Sequence, residues 1–179
     1  MELNGFISFN PLSDSGNDIP KSPGNYLVTI RDIKALPTLG HKVITRQFCG
    51  QEIIYTGIAQ KDLHHRIWKS HLGGHAGKST LRLTLGCLLG YTLIPRDKSN
   101  PNNGKVRFNA DDERALRNWM IENLVFHFLP NDTPKEMESE LIEFYNPPLN
   151  LSENENPINR EFRAELSYLR SLRPWSICF

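Results

Sequence analysis

Two short runs of strand-forming residues, NYLVTIR at 25–31 and EIIYTGI at 52–58, set the first constraint on this chain. In the first, Tyr26, Val28 and Ile30 alternate with Asn25, Leu27 and Thr29; the second is rich in β-branched residues. A third candidate, KVITRQF, turns into the second run at Gly50. Strands in such close succession point to an antiparallel sheet, and the amphipathic segments after them point to helices laid against it. KDLHHRIWKSHL places Leu63, Ile67, Trp68 and Leu72 on one helical face and Arg66, Lys69 and Ser70 on the other, and Gly73-Gly74 ends it. STLRLTLGCLL reads as a more buried helix, KVRFN as a short strand, and NADDERALRNWMIEN as a helix capped by Asn109. LVFHFLP comes next as a strand, then a helix from Pro134 to about Tyr145, then REFRAELSYLRSL as a last helix carrying Arg163 and Arg170 between Arg160 and Arg173. The expectation is an α+β domain with a small, mostly antiparallel, three-stranded central sheet flanked by helices. It spans residues 23–155. Residues 1–22, polar with two prolines, read as an N-terminal arm. Residues 156–179 read as an Arg-rich helix and tail packed on the domain.

Length and charge narrow the class only a little. At 179 residues one domain can bury a core without disulfides or structural metal. No apolar run approaches the roughly 18 residues that span a bilayer, and MELNGFISFN lacks the basic and apolar regions of a secretory signal. Cys49, Cys87 and Cys178 are odd in number and far apart, which suggests reduced thiols and a cytoplasmic location. The net charge of +1 names no partner, yet it hides a strong asymmetry. Residues 61–82 hold five bases (Lys61, Arg66, Lys69, Lys78, Arg82) against Asp62, while residues 110–143 hold nine acids against three bases. That pattern fits a basic surface for a polyanion beside an acidic element.

One acid stands apart. Thr133-Pro134-Lys135-Glu136 has the form of a capping box, which would consume Glu136. Of the four Glu on this helix only Glu138 has apolar residues at i+3, i+4 and i+7 (Leu141, Ile142, Tyr145). Helical geometry therefore turns it toward the body of the domain. A carboxylate on an inward face costs desolvation energy unless a partner or a cation meets it.

The ordered set Gly24-Asn25-Tyr26, Tyr55-Thr56-Gly57, Arg66 in LHHRIWKSHL, Glu138, and Asn150 in NPPLN resembles the GIY-YIG endonuclease superfamily. ESELIEFYNPPLN is similar to that family's helix and the asparagine that comes after it. The resemblance covers roughly residues 24–150 and makes 23–155 the nuclease domain, with an insertion at 31–52. It departs from the family pattern in three ways. Asn25 and Thr56 stand where Ile is usual, and Tyr26 and Tyr55 lie 29 residues apart, a long interval like that of the family's restriction enzymes. The family often has His four residues after the Arg; here that place is Ser70 and His71 comes fifth, which on an ideal α-helix turns the imidazole by about 100°.

The resemblance implies hydrolysis of DNA phosphodiester bonds with Mg²⁺ (or Mn²⁺) held by Glu138. A hard cation suits a single carboxylate and keeps several waters. Arg66 offers a fork of donors to a phosphate oxygen. Tyr26 or Tyr55 would orient or deprotonate the attacking water, with no residue pattern choosing between them. His71 and Asn150 complete the catalytic set, and Lys61, Lys69, Lys78 and Arg82 are the expected nucleic-acid-binding residues. DNA is the expected partner, a homodimer would bring two such sites to two strands, and no membrane is involved. The His group does not suggest zinc, because Gly73-Gly74 separates His71 from His75 and no Cys lies at ligand spacing. A non-catalytic nucleic-acid-binding module on the same fold is the alternative.

Overall fold

The computed structural model of the chain describes residues 5–173 and Trp175. Met1–Asn4, Pro174 and Ser176–Phe179 lie outside the described residues, so the reading of Cys178 and of the end of the C-terminal tail falls there.

Among the described residues, seven strands and four α-helices build an α+β fold around an antiparallel sheet of five strands. β2 (Gly24–Ile30) is its middle, and all seven of its residues are buried. It pairs with β4 (Gln51–Ala59) on one side and with β7 (Leu124–Pro130) on the other. The order across the sheet is β1-β7-β2-β4-β3. The expected three-stranded sheet is thus extended by one strand at each edge. β1 (Ile7–Phe9) comes from the segment read as an arm and pairs with β7. Phe9 and Ile19 sink into the core, which is what holds this segment down. Of KVITRQF only β3 (Gln47–Phe48) forms ladder bonds, at the edge of β4. β5 (Ile94–Pro95) and β6 (Val106–Arg107) make a separate two-stranded ribbon.

The register divides the sheet into two faces. Tyr26 opposes Gly57 and Phe128, and Val28 opposes Tyr55 and Phe126, so these side chains share one face. That face meets the main core, which includes Leu63, Ile67, Leu81, Leu85, Leu116, Met120, Phe162 and Leu166 from the helical layer. The helices there are a π-helical segment (His65–Leu72), α1 (Thr80–Leu88), α2 (Ala110–Asn123) and α4 (Arg160–Ser171). The other face carries Asn25, Leu27, Thr29 and His127. It is covered by α3 (Pro134–Tyr145), whose Leu141 and Tyr145 pack with Leu27 and Ile53. Each such buried apolar side chain contributes about 1.5–3 kcal/mol. The β2–β4 register shifts at Ile54, which has no partner in β2, and this bulge lets Ile54 join Tyr55 in the main core while Ile53 packs under α3. No helix among the described residues is long and apolar enough to cross a membrane.

Candidate active site

Tyr26 is fully buried in β2, and its hydroxyl is the hub of the site. Arg66 Nε donates to it at 3.3 Å, and His71 Nε2 lies 2.8 Å away. The reason both reach it is the π-helix. Gly73 N donates to Trp68 O, five residues back, the bonding pattern of a wider turn. In such a turn residues five apart, not four, return to one face. The expected 100° displacement of His71 is therefore absent, and the imidazole stands over the same ring as Arg66. Gly57, across from Tyr26, is required by space: a Cβ there would lie 2.5 Å from the Tyr26 hydroxyl.

The hydrogen-bond chain continues inward. His71 Nδ1 is 2.7 Å from Ser79 Oγ, and Ser79, the N-cap of α1, accepts from Arg82 N at 3.1 Å. Ser79 has one hydrogen to give, and only Nδ1 is there to take it. This assigns the hydrogen of the neutral imidazole to Nε2, which then donates to the Tyr26 oxygen. Burial, with the charges of Arg66 and Arg82, holds His71 well below the ordinary imidazole value, so it is neutral near pH 7. The Tyr26 oxygen thus receives two N–H donors and keeps its own hydrogen free to point into the site. Two donors favour the phenolate, but burial outweighs them and holds the phenol above its ordinary value.

Tyr55 lies with its ring centroid 6.3 Å from that of Tyr26 and is nearly as buried. Glu138 of α3 is half-buried, and its charge bears on both phenols. Burial raises its carboxyl above the usual value, Glu153 adds repulsion, and Arg66 and Lys135 oppose the rise. No cation within ion-pair distance neutralises it among the described residues. The capping box expected at this helix does not form: Thr133 makes no side-chain cap bond, and its N–H is taken instead by Asn131 Oδ1 at 3.0 Å.

Asn150 braces the backbone of β4. Its Oδ1 accepts from Thr56 N and its Nδ2 donates to Thr56 O, both at 2.9 Å. With Leu149 N bonded to Ile54 O, the NPPLN segment acts as a strand surrogate on the open edge of β4. These two bonds fix the backbone between Tyr55 and Gly57 from behind, and the second N–H and second lone pair of the amide stay free. The two unusual motif letters work similarly. Asn25 Nδ2 donates to Pro134 O at 2.7 Å, tying β2 to the start of α3, and Thr56 Oγ1 donates to Tyr26 O at 3.1 Å.

The surface residues separate into two kinds. Lys61, Lys69 and Lys78 are exposed or partly so, and Lys61 joins Ile58, Gln60, His65 and Arg66 in a groove between the end of β4 and the π-helix. Arg82 is only 1% exposed. Its guanidinium bonds Glu113 Oε2 at 2.6 Å and His71 O at 2.9 Å, so the expectation that it touches nucleic acid is corrected. It is a brace for the histidine. Sequence reasoning passes over Ser79, although a Ser before the apolar run of α1 is the ordinary signal of an N-cap.

A family model for the GIY-YIG catalytic domain matches residues 24–172. The chain belongs to the GIY-YIG family. This is a nuclease domain, and nucleases built on it are generally dependent on divalent metal. Searches of curated proteins and of solved structures return no significant match. Among the described residues no group of three or more His, Cys, Asp or Glu side chains could hold an ion. A metal in this domain would rest on the lone, half-buried oxygen ligand Glu138, which fits Mg²⁺ and its retained waters.

Proposed function

We propose that this GIY-YIG protein is a divalent-metal-dependent endonuclease that hydrolyses DNA phosphodiester bonds. The observation that carries the reading is the buried Tyr26 oxygen, held by Arg66 and His71 on one face with Tyr55 and within the field of the unneutralised Glu138. In this mechanism Tyr26 is the base in its phenolate form, its own proton having first left to solvent: His71 and Arg66 hold the oxygen in place and stabilise its negative charge until it takes a proton from the attacking water. Arg66 also offers its terminal nitrogens to a phosphate oxygen, and the charge it presents grows in value as the phosphorane forms. Ser79 and Arg82 keep the imidazole in the tautomer that donates toward Tyr26. Asn150 positions the Tyr55-Thr56-Gly57 backbone. A divalent cation on Glu138 would lower the phenol's pKa, neutralise the developing charge and stabilise the leaving oxygen.

Lys61 and Lys69 supply non-specific attraction to the backbone, and Lys78 extends it. The alternative of a binding module without catalysis rests on the altered motif letters and the displaced His. Asn25 and Thr56 have bonding roles, however, and the π-helix returns His71 to the site. The test is plasmid cleavage with Mg²⁺ against EDTA. Glu138→Ala and Arg66→Ala are each expected to lose about 10³-fold or more in rate. Undiminished cleavage by both variants sinks the reading, and tight binding with no scission by the wild-type protein favours the binding module.

A further inference from the structure

The ribbon of β5 and β6 carries charges that the active site does not use. Residues 96–107 hold four bases (Arg96, Lys98, Lys105, Arg107) against Asp97. Ile94 pairs with Arg107 and Pro95 with Val106, and Arg96 N donates to Lys105 O at 2.9 Å. The register therefore sets Arg96 directly across from Lys105 on one face, where like charges repel. Both residues line a groove of about 390 Å³ between the ribbon and the start of α1, and Lys78, Thr80, Leu83 and Val106 line it with them. The ribbon is fixed in this place. A Cβ on Gly77 would lie 2.6 Å from Val106 O, so glycine is what lets the ribbon lie this close to the 3₁₀ turn Ala76–Lys78. Glu113 clamps the same elements: its Oε1 accepts from Ala76 N at 2.8 Å and from Phe108 N at 3.3 Å, and its Oε2 accepts from Arg82 at 2.6 Å.

The carboxylates nearby are committed elsewhere. Glu113 is spent on the clamp, and Asp97 accepts from Ser99 N and from Ser99 Oγ just beyond β5. No carboxylate of the described residues lines the groove or comes within ion-pair distance of Lys78, Arg96 or Lys105. The groove beside α3 is of another kind, since Glu140 and Glu143 line it with Arg46. Three cations gathered on two elements, two of them forced face to face, make a surface for a polyanion, and an extended row of phosphates matches their spread better than one small anion. We propose that this groove is a second nucleic-acid contact, in which Lys78, Arg96 and Lys105 hold the phosphodiester backbone away from the bond that is cut. The inference rests on the nuclease reading for its ligand. The groove is separate from the one that Lys61 and Arg66 line, so it makes the ribbon a binding arm of its own.

The experiment is equilibrium binding of a short fluorescent DNA duplex in EDTA, measured across a salt series, with thermal unfolding of each protein. It compares wild type, the double variant Arg96→Gln/Lys105→Gln, and Lys42→Gln, which removes a charge from a different groove, one that Glu161 also lines. The double variant is expected to weaken binding roughly tenfold and to reduce the slope of log affinity on log salt by about 1.8, two phosphate contacts. Its unfolding midpoint should hold or rise, since a like-charged pair is removed. Lys42→Gln should leave the slope as it is. A loss of slope in the double variant that is no greater, per charge removed, than in Lys42→Gln reports net charge alone and overturns the proposal. If the double variant does not fold, Lys105→Gln, at an exposed position, decides by the same criterion, with an expected loss of about 0.9. Binding in EDTA separates this outcome from the catalytic reading. A wild-type protein that never cuts DNA, while the double variant loses two phosphate contacts, leaves this inference standing and the endonuclease reading fallen. Cleavage by the wild type with an unchanged slope in the double variant does the reverse.

Discussion

The two faces of the central sheet each bury a histidine in the same local pattern. On one face Ser79 and Tyr26 flank His71; on the other Ser8 and Thr29 flank His127, at 2.8 and 2.9 Å. Thr29 passes its hydrogen to Gln51 Oε1 and so accepts from His127 Nε2, which leaves Nδ1 to accept from Ser8. Both rings therefore take a hydrogen from a serine at Nδ1 and give one at Nε2. Both are kept neutral by burial; His127 is held down to about 4. The two networks part company past the second hydroxyl. Beyond Thr29 stands a neutral amide, with the Phe48 ring against the imidazole, and the chain of bonds closes. Beyond Tyr26 stand a guanidinium, a second phenol and an unneutralised carboxylate. Burial and hydrogen bonding make a histidine stable; the charges at the far end of its network make it useful.

The sharpest way to break this comparison is to remove each ring. His71→Ala should reduce cleavage by about 10²–10⁴-fold, with Tyr26→Phe in the same range. His127→Gln should leave the rate nearly unchanged. Equal losses of kcat from both histidines would end the distinction. Next in size is the acid response of stability. Both imidazoles have native values below the unfolded value of 6.5, so the stability they contribute is complete above that pH. It is lost as pH falls toward the native value, which for His127 lies near 4. The contribution of His127 is about 3 kcal/mol. Urea midpoints between pH 6.5 and 4 should therefore fall steeply for the wild type and less steeply for His127→Gln. A smaller effect belongs to the brace behind the active face. Asn150→Ala orphans both backbone groups of Thr56 and should cost about 1–3 kcal/mol in denaturant unfolding, with a modest loss of kcat and little change in metal dependence. The smallest effects come from the exposed lysines. Lys69→Ala should weaken DNA binding evenly across sequences and lower the salt slope by about one contact, without changing stability.

Much of the active face is legible in the sequence because its signals are local. β2, β4, β7 and α3 announce themselves by alternation or by period, and Glu138 by its position on an apolar face. The edges are not. β1 is three residues without alternation, held by Phe9 and by pairing with a strand more than a hundred positions away. The partner of Arg82 is likewise invisible locally, because Glu113 comes from another helix. A buried, paired cation and an exposed one look alike in a charge count, and so Arg82 reads as a surface residue. The capping box fails for a related reason: Asn131 reaches the Thr133 N–H first and leaves the motif letters without their bond. The brace that Asn150 supplies is invisible locally too, since the backbone it holds belongs to a strand far away in the chain.

The π-helix changes how the family's signature should be measured. Counted in residues, the imidazole of this chain is out of place by one. Counted in turns, the interval from guanidinium to imidazole is one turn, as it is when four residues separate them on an α-helix. An alignment keyed to fixed spacing sets Ser70 against the family's histidine, whereas one keyed to turns pairs the two rings. The extra residue is absorbed inside the helix, by the wider winding of the segment His65–Leu72, and neither loop length nor strand register records it.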